Sequence, residues 1–198
     1  MSVLAAVPIK RFFVAKRRLA PILDRATRSR LGRQLAAHTL ATIAGAGLEV
    51  VVLAADIAVA RWASGQGFAS RLDSGGGLDA AAGALVERAI ARSRPWLVVH
   101  ADLPLLTSDD VTAAVSILEA GHAPLAPTDD GGTSLIGGWG AFDFAYGPAS
   151  FHRHLRRATD PLPLVRLGLA LDLDDPGDYV AARHHPRGQW LDRYPARA

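Results

Sequence analysis

The chain has no cysteine. Disulfides and thiolate metal sites are therefore excluded, and thiols cannot report a redox compartment. Lysine is almost as scarce: Lys10 and Lys16 are the only two, while arginine is abundant. Aromatics make up only 7% of the 198 residues, and no run of five or more basic residues occurs. A basic stripe with interleaved aromatics, the mark of a nucleic-acid module, is thus missing. The apolar stretch in the opening Met-Ser-Val-Leu-Ala-Ala-Val-Pro-Ile-Lys is too short for a membrane span or a signal h-region, and no charged n-region precedes it. The expectation is a soluble, cytoplasmic protein without a membrane partner. Gly-x-x-x-x-Gly-Lys, His-Glu-x-x-His, Gly-x-Gly-x-x-Gly and a Ser-His-Asp order are also absent.

What is present is a globular balance, with 49% hydrophobic and 21% charged residues. The length suits one domain, expected at 1–185, with an Arg- and Pro-rich C-terminal tail at 186–198 read as loosely ordered. The formal charge is +3, with a sequence pI near 9.8. Such a balance attracts nucleic acid, a membrane surface or an acidic small molecule. Arg28, Arg30 and Arg33 are dispersed and read as a solvated helix face.

Short apolar runs alternate with helical periodicity. Strands are expected at Val3–Ile9, Leu48–Ala54, Trp96–His100, Ala123–Pro127, Ser134–Gly138 and Leu167–Asp172. Helices are expected at Thr27–Ala46, Ala58–Gly65, Leu78–Arg92, Ser108–Ala120, Ser150–Ala158 and Pro176–Arg183, with Ser108 and Asp175 as N-caps. This alternation implies an α/β sandwich with a mostly parallel sheet and helices on both faces. Ligands of such sheets bind at the carboxyl ends of the strands. Lys10, Asp102, Asp172 and Asp174 all fall at such ends.

Four clusters carry chemistry. Lys10, Lys16 and Arg18 follow the first strand; they are either a solvated basic loop or a polyphosphate site. His100-Ala101-Asp102 ends an apolar strand. Asp102 can cap the following turn or ligate a divalent metal, and His100 reads as a hydrogen-bonded core histidine. Asp172 and Asp174 stand two apart on extended chain and so share one face, where they repel unless a cation lies between them. Finally, Asp130-Gly131-Gly132-Thr133-Ser134 and Tyr146-Gly147-Pro148-Ala149-Ser150 are glycine turns followed by hydroxyls. They read as ordinary capping or as an anion site at a helix start. A weaker fifth signal is the loop Gly75-Gly76-Gly77-Leu78-Asp79, whose glycines allow close backbone approach.

In order along the chain, Val-Pro-Ile-Lys and Ala-Lys-Arg-Arg-Leu-Ala, Asp-Leu-Pro-Leu-Leu from Asp102, Tyr-Gly-Pro-Ala-Ser-Phe-x-x-His from Tyr146, and Asp-Leu-Asp-Asp-Pro-x-Asp from Asp172 resemble the CofC/FbiD family, the guanylyltransferases of coenzyme F-420 biosynthesis. The resemblance runs from about Val7 to Arg183. It implies a single-domain nucleotidyltransferase fold of the glycosyltransferase-A type. It implies transfer of GMP from GTP to 2-phospho-L-lactate, phosphoenolpyruvate or 3-phospho-D-glycerate, with release of pyrophosphate, the product passing to the next transferase of the pathway. Lys10, Lys16 and Arg18 would face the GTP phosphates. Pro8, Gly77, Leu78 and Asp79 would complete the nucleotide site. Asp102, Asp172 and Asp174 would hold magnesium, and Thr133, Gly147 and Ser150 the phosphorylated acid. Relatives often read Gly-Leu-Asn where this chain has Gly77-Leu78-Asp79. The oligomeric state stays open, a homodimer included. The competing readings are another nucleotidyltransferase of this fold, such as a molybdopterin guanylyl- or cytidylyltransferase, and a basic nucleic-acid-binding module.

Overall fold

Apolar residues at consecutive positions, rather than at every second one, mark strands covered on both faces. The strands of the computed structural model, which describes residues 2–14, 16–73 and 75–196, follow this pattern through the centre of the sheet. They are β1 (Leu4–Ile9), β2 (Glu49–Ala54), β3 (Ala69–Leu72), β4 (Trp96–Val99), β5 (Ala123–Pro127), β6 (Thr133–Gly138) and β7 (Pro161–Pro163). The helices are α1 (Arg25–Gly45), α2 (Ile57–Gly65), α3 (Gly77–Ile90), α4 (Ser108–Glu119), α5 (Ser150–Arg157), α6 (Leu167–Ala170) and α7 (Pro176–His184). One sheet has the order β3-β2-β1-β4-β6-β5-β7. Its neighbours are parallel except around β6, which runs antiparallel to both β4 and β5. This is the mostly parallel sandwich expected from the sequence.

Alternate residues of β1 explain the two layers. Ala5, Val7 and Ile9 join a core with Ala36, Leu40 and Ile43 of α1, Val59 of α2 and Val111 of α4. Leu4 and Ala6 join the opposite core with Ala82, Leu85 and Val86 of α3. A third cluster lies away from the sheet. Leu19, Leu23, Leu31, Leu35, Leu105, Leu173 and Tyr179 pack together there. It anchors the Leu171–Asp175 segment beside the Asp102 loop, where Leu173 N–H donates to the Asp102 carbonyl at 3.0 Å.

The structure corrects four local expectations. Leu167–Asp172 is not a strand: its first four residues are α6, and the rest is extended chain outside the sheet. Leu-Gly-Leu-Ala-Leu alternates like a strand, but Gly168 packs so closely on Asp110 and the Leu105 carbonyl that a Cβ there would collide with both. The N-cap of α4 is Thr107, not Ser108; Thr107 and Asp110 form a reciprocal capping box. Edge strands β3 and β7 went unpredicted. β3 is largely exposed, and β7 is Pro-Leu-Pro, tolerated only at an edge. The loosely ordered tail is instead a 3-10 helix over Pro186–Arg193 with Leu191 fully buried. Gly188 lets it approach α7, since a Cβ would strike the Ala182 carbonyl. Residues 197–198 of that tail lie outside the described residues.

Leu191→Ala is therefore expected to lower the unfolding free energy by about 2–4 kcal/mol, read from urea denaturation. An unchanged midpoint would show that this segment lies outside the cooperative core.

Candidate active site

The chain runs outward from β1 in both directions, through β2 on one side and β4 on the other. A crevice forms at such a switch point, outside the carboxyl ends of the strands. A cavity of about 460 Å³ opens there. Pro8, Ile9 and Lys10 reach it from β1, Leu53 and Ala55 from β2, and His100, Ala101 and Asp102 from β4. Lys16, Arg17 and Arg18 enter from the loop after β1, Leu78 and Ala81 from α3, and Asp174 from the segment before α7.

Lys16 ties this rim together. Its Nζ donates to Asp102 Oδ2 at 2.7 Å and to Asp174 Oδ1 at 2.8 Å, and its side chain is only 7% exposed. The residue itself sits in the left-handed region, φ 56°, rare for a side chain of this size. Burial alone would push the ammonium down, but the two carboxylates outweigh it and hold the pKa above its ordinary value. Burial likewise favours a neutral Asp102, yet the Lys16 charge and hydrogen bond prevail and leave Asp102 at about 2. Asp172 is driven the other way. Burial and the neighbouring Asp102 and Asp174 carboxylates raise it to about 7.

The alternation Asp172-Leu173-Asp174 acts as expected: Leu173 is buried in the third cluster, and both aspartates come to the cavity side with Asp102. One carboxylate oxygen from each of Asp102, Asp172 and Asp174 lies within 4.8 Å of the other two. Asp102 Oδ1 is buried without a hydrogen-bond partner. When all three carboxylates are ionised, against one ammonium they leave an excess of two negative charges. Hard oxygen donors with that excess fit a magnesium-like divalent cation. Asp175 is the N-cap of α7 as expected, and Asp178 completes the capping box while accepting from Asp174 N–H at 2.8 Å.

The Thr133 side is not part of the cavity lining. Thr133, Ser150 and His154 are all buried. Ala145 N–H donates to His154 Nε2 at 2.9 Å, which makes Nε2 the unprotonated nitrogen. His154 Nδ1–H then donates to Thr133 Oγ1 at 2.9 Å, and Thr133 Oγ1 stands 3.2 Å from Ser150 Oγ. Gly147 accepts the Ser150 N–H at 3.0 Å. Burial holds His154 down at about 4; nearby Asp79 raises it, and Arg153 and Arg157 lower it.

Of the residues singled out in the sequence, Pro8, Lys10, Lys16, Arg18, Leu78, Asp102 and Asp174 line one cavity. Asp172 joins them through the acidic triad. Thr133, Gly147 and Ser150 come together as a second group, and Gly77 and Asp79 flank Leu78 without themselves lining the cavity. Asp130 behaves as turn chemistry, accepting from Thr128 Oγ1 and Gly132 N–H. Sequence reasoning passed over Arg17, which only its place in the Arg-Arg pair could have flagged. It also took His100 for a hydrogen-bonded core histidine. His100 instead lines the cavity, and its buried Nε2 has no partner.

A mostly parallel sheet covered on both faces, with a basic cavity and an acidic triad at its switch point, is in keeping with the nucleotidyltransferase class to which the relatives belong. A solved structure agrees in fold: a protein of Desulfovibrio desulfuricans G20, provisionally assigned as a nucleotide-diphospho-sugar transferase, matches with a TM-score of 0.72 at 19% identity, covering 98% of this chain and 97% of that one. The family model described as "Guanylyl transferase CofC like" matches residues 2–167, and the chain belongs to that family. Phosphoenolpyruvate guanylyltransferase of Rubrobacter xylanophilus is 36% identical over 188 residues, covering 90% of this chain and 92% of the relative. The protein of the same name from Sphaerobacter thermophilus is 34% identical, covering 95% and 96%. Among the described residues, no helix is long and apolar enough to cross a membrane.

Two outcomes follow from the electrostatics. With chelator present at about pH 8, where Asp172 is ionised, Asp172→Asn should melt above the parent protein, because it removes one of three crowded charges; added Mg²⁺ should raise the melting temperature of the parent and not of the variant. Equal Mg²⁺ responses would remove Asp172 from the ligand set. For His154, the folded pKa lies below the unfolded one, so the unfolded chain takes up the proton first as pH falls. The associated stability is complete above about pH 6.5 and is lost toward pH 4, by about 3 kcal/mol in all. An NMR titration of the His154 ring should show its midpoint near 4; a midpoint near 6.5 would contradict the buried neutral tautomer.

Proposed function

We propose that this guanylyltransferase moves GMP from GTP onto a small phosphorylated three-carbon acid, with release of pyrophosphate, as an early step toward coenzyme F-420. The observation that carries the reading is the Asp102–Asp172–Asp174 triad, held by Lys16 at the edge of a cavity rimmed with cations. The names of the relatives favour phosphoenolpyruvate as the acid to test first. The same chemistry admits 2-phospho-L-lactate and 3-phospho-D-glycerate. The product would pass to the transferase of the following step.

The acceptor's phosphate is already an anion, so no strong general base is needed. Its oxygen attacks the α-phosphorus in line, a P–O bond forms to the acceptor phosphate, and the bond to the pyrophosphate oxygen breaks. Catalysis is then positioning and charge neutralisation. Pro8, Gly77 and Leu78 border the base and sugar. Lys10, Arg17 and Arg18 reach the triphosphate from the rim, and Lys16 keeps Asp102 and Asp174 ionised and in place. Asp102, Asp172 and Asp174 would hold Mg²⁺, which when bound supplies neutralisation of phosphate charge. Thr133, Gly147 and Ser150 would hold the acid through hydroxyl and backbone groups at the start of α5.

The test is turnover with GTP, Mg²⁺ and each acid, following pyrophosphate and trapping the product with the next enzyme and its deazaflavin acceptor. Release with phosphoenolpyruvate is expected, and Asp102→Asn should slow it at least about a hundredfold while the chain stays folded. Release with another nucleotide only, or with no acid, would return the activity to other nucleotidyltransferases of this fold. Full activity in a folded Asp102→Asn would remove the metal from the mechanism.

A further inference from the structure

Asp79 lies in the first turn of α3, beside the glycine loop. Leu78 and Ala81 line the cavity, but Asp79 does not. Its Oδ1 instead accepts the Tyr146 N–H at 2.9 Å, across 67 residues of sequence. The neighbouring amide, Ala145 N–H, is held by His154, and the Arg153 guanidinium binds the carbonyls of Ala145 and Tyr146. These last two grips come from α5. Among the described residues, Asp79 supplies the grip from α3.

Tyr146 is worth holding. Its ring stacks on Phe144 at 5.7 Å and 7°, meets the His154 ring edge-on at 4.8 Å, and lies 5.4 Å from the His100 ring. His100 lines the cavity two residues before Asp102. Tyr146 OH and His100 Nε2 are both buried without a hydrogen-bond partner. Buried polar atoms left unpaired are uncommon, and His100 Nε2 belongs to a residue of the cavity wall. Tyr146 also precedes Gly147 and Ser150, so any shift of its backbone moves that turn.

We propose that Asp79 is a positioning residue: through the Tyr146 amide it sets the acid-acceptor end of the site, and it does not read the nucleotide base. The inference rests on the guanylyl-transfer reading. The contact asks only for a side-chain oxygen that accepts an N–H, and both aspartate and asparagine carry one.

The test compares Asp79→Ala with Asp79→Asn in the full chain. Asp79→Ala should raise KM for the acid about tenfold, leaving KM for GTP and the preference for GTP over ATP within about twofold; Asp79→Asn should recover the acid KM. Hydrogen exchange read by NMR supplies an arm that needs no turnover: the Tyr146 amide should exchange about tenfold faster in Asp79→Ala and not in Asp79→Asn. A weakened GTP KM or a relaxed base preference with the acid KM unmoved would make Asp79 a base reader and overturn the inference. So would Asp79→Asn as impaired as Asp79→Ala, or Tyr146 exchange unchanged in the alanine variant. Parent enzyme inert toward every acid would instead sink the guanylyl-transfer reading and the acceptor role with it. Normal parent turnover with an unmoved acid KM in Asp79→Ala would sink this inference alone.

Discussion

One ammonium group joins three remote parts of the chain. Lys16 follows β1, Asp102 follows β4 and Asp174 precedes α7, at sequence separations of 86 and 158 from the lysine. Two carboxylates drawn so close would repel, and a buried lysine would tend to lose its proton. Each corrects the other. The arrangement is not a net source of stability, since desolvation of three ions offsets much of their attraction. Its effect is on geometry: without Lys16 the two carboxylates face each other with no counter-charge, and without either aspartate the buried ammonium keeps only one carboxylate, so the positions of the three segments are coupled. The apolar support lies just beneath. Leu19, three residues after Lys16, and Leu173, between the aspartates, share one cluster with Leu105.

That constraint explains the placement of the site better than the sheet alone does. The switch point between β1 and β4 provides a crevice, but any doubly wound sheet has one. Here the crevice becomes acidic at depth and basic at the rim. Lys16 is consumed by its carboxylates. Lys10, Arg17 and Arg18 are exposed and carry no ion pair among the described residues. The deep charges suit a small divalent cation and the rim suits a polyphosphate. The neutral network of His154, Thr133 and Ser150 forms a third environment, fixed by the antiparallel strand β6 and by α5.

Much of this was legible in the sequence, and the failures have physical reasons. Central strands such as Val3–Ile9 and Leu48–Ala54 read correctly because burial on both faces forces unbroken apolar runs. Edge strands β3 and β7 lack that pressure, so Ala-Ser-Arg-Leu and Pro-Leu-Pro carry little strand signal. Leu167–Ala170 looked like a strand because leucine stands at every second position, but in the helical turn it forms Leu169 is buried and Leu167 faces out. The Asp-Leu-Asp spacing did predict two carboxylates on one face. The pairing of Lys16 did not show, because a lysine after a strand reads equally as a phosphate ligand, and only tertiary packing brings Asp102 and Asp174 to it. His100 was misjudged for a related reason: an inward histidine on a strand reads as a satisfied core residue, and sequence cannot reveal that its Nε2 has no partner.

The pairing of Lys16 changes what the cationic motif means. Val-Pro-Ile-Lys and Ala-Lys-Arg-Arg bring cations to one loop, yet these differ in exposure and so in task. A lysine that already gives two hydrogen bonds, at 2.7 and 2.8 Å, has one N–H left for a phosphate oxygen. Among the described residues, nothing takes up those of Lys10, Arg17 and Arg18. On the proposed reading the rim is therefore the chief grip on a triphosphate, while Lys16 sets how closely Asp102 and Asp174 approach each other and hence the size of the acidic pocket. Arginine could not replace it there without change. A planar guanidinium is larger than an ammonium and would hold two carboxylates farther apart and in its own plane. In a chain that uses arginine almost everywhere else, a lysine at position 16 is what the compact space between two aspartates requires.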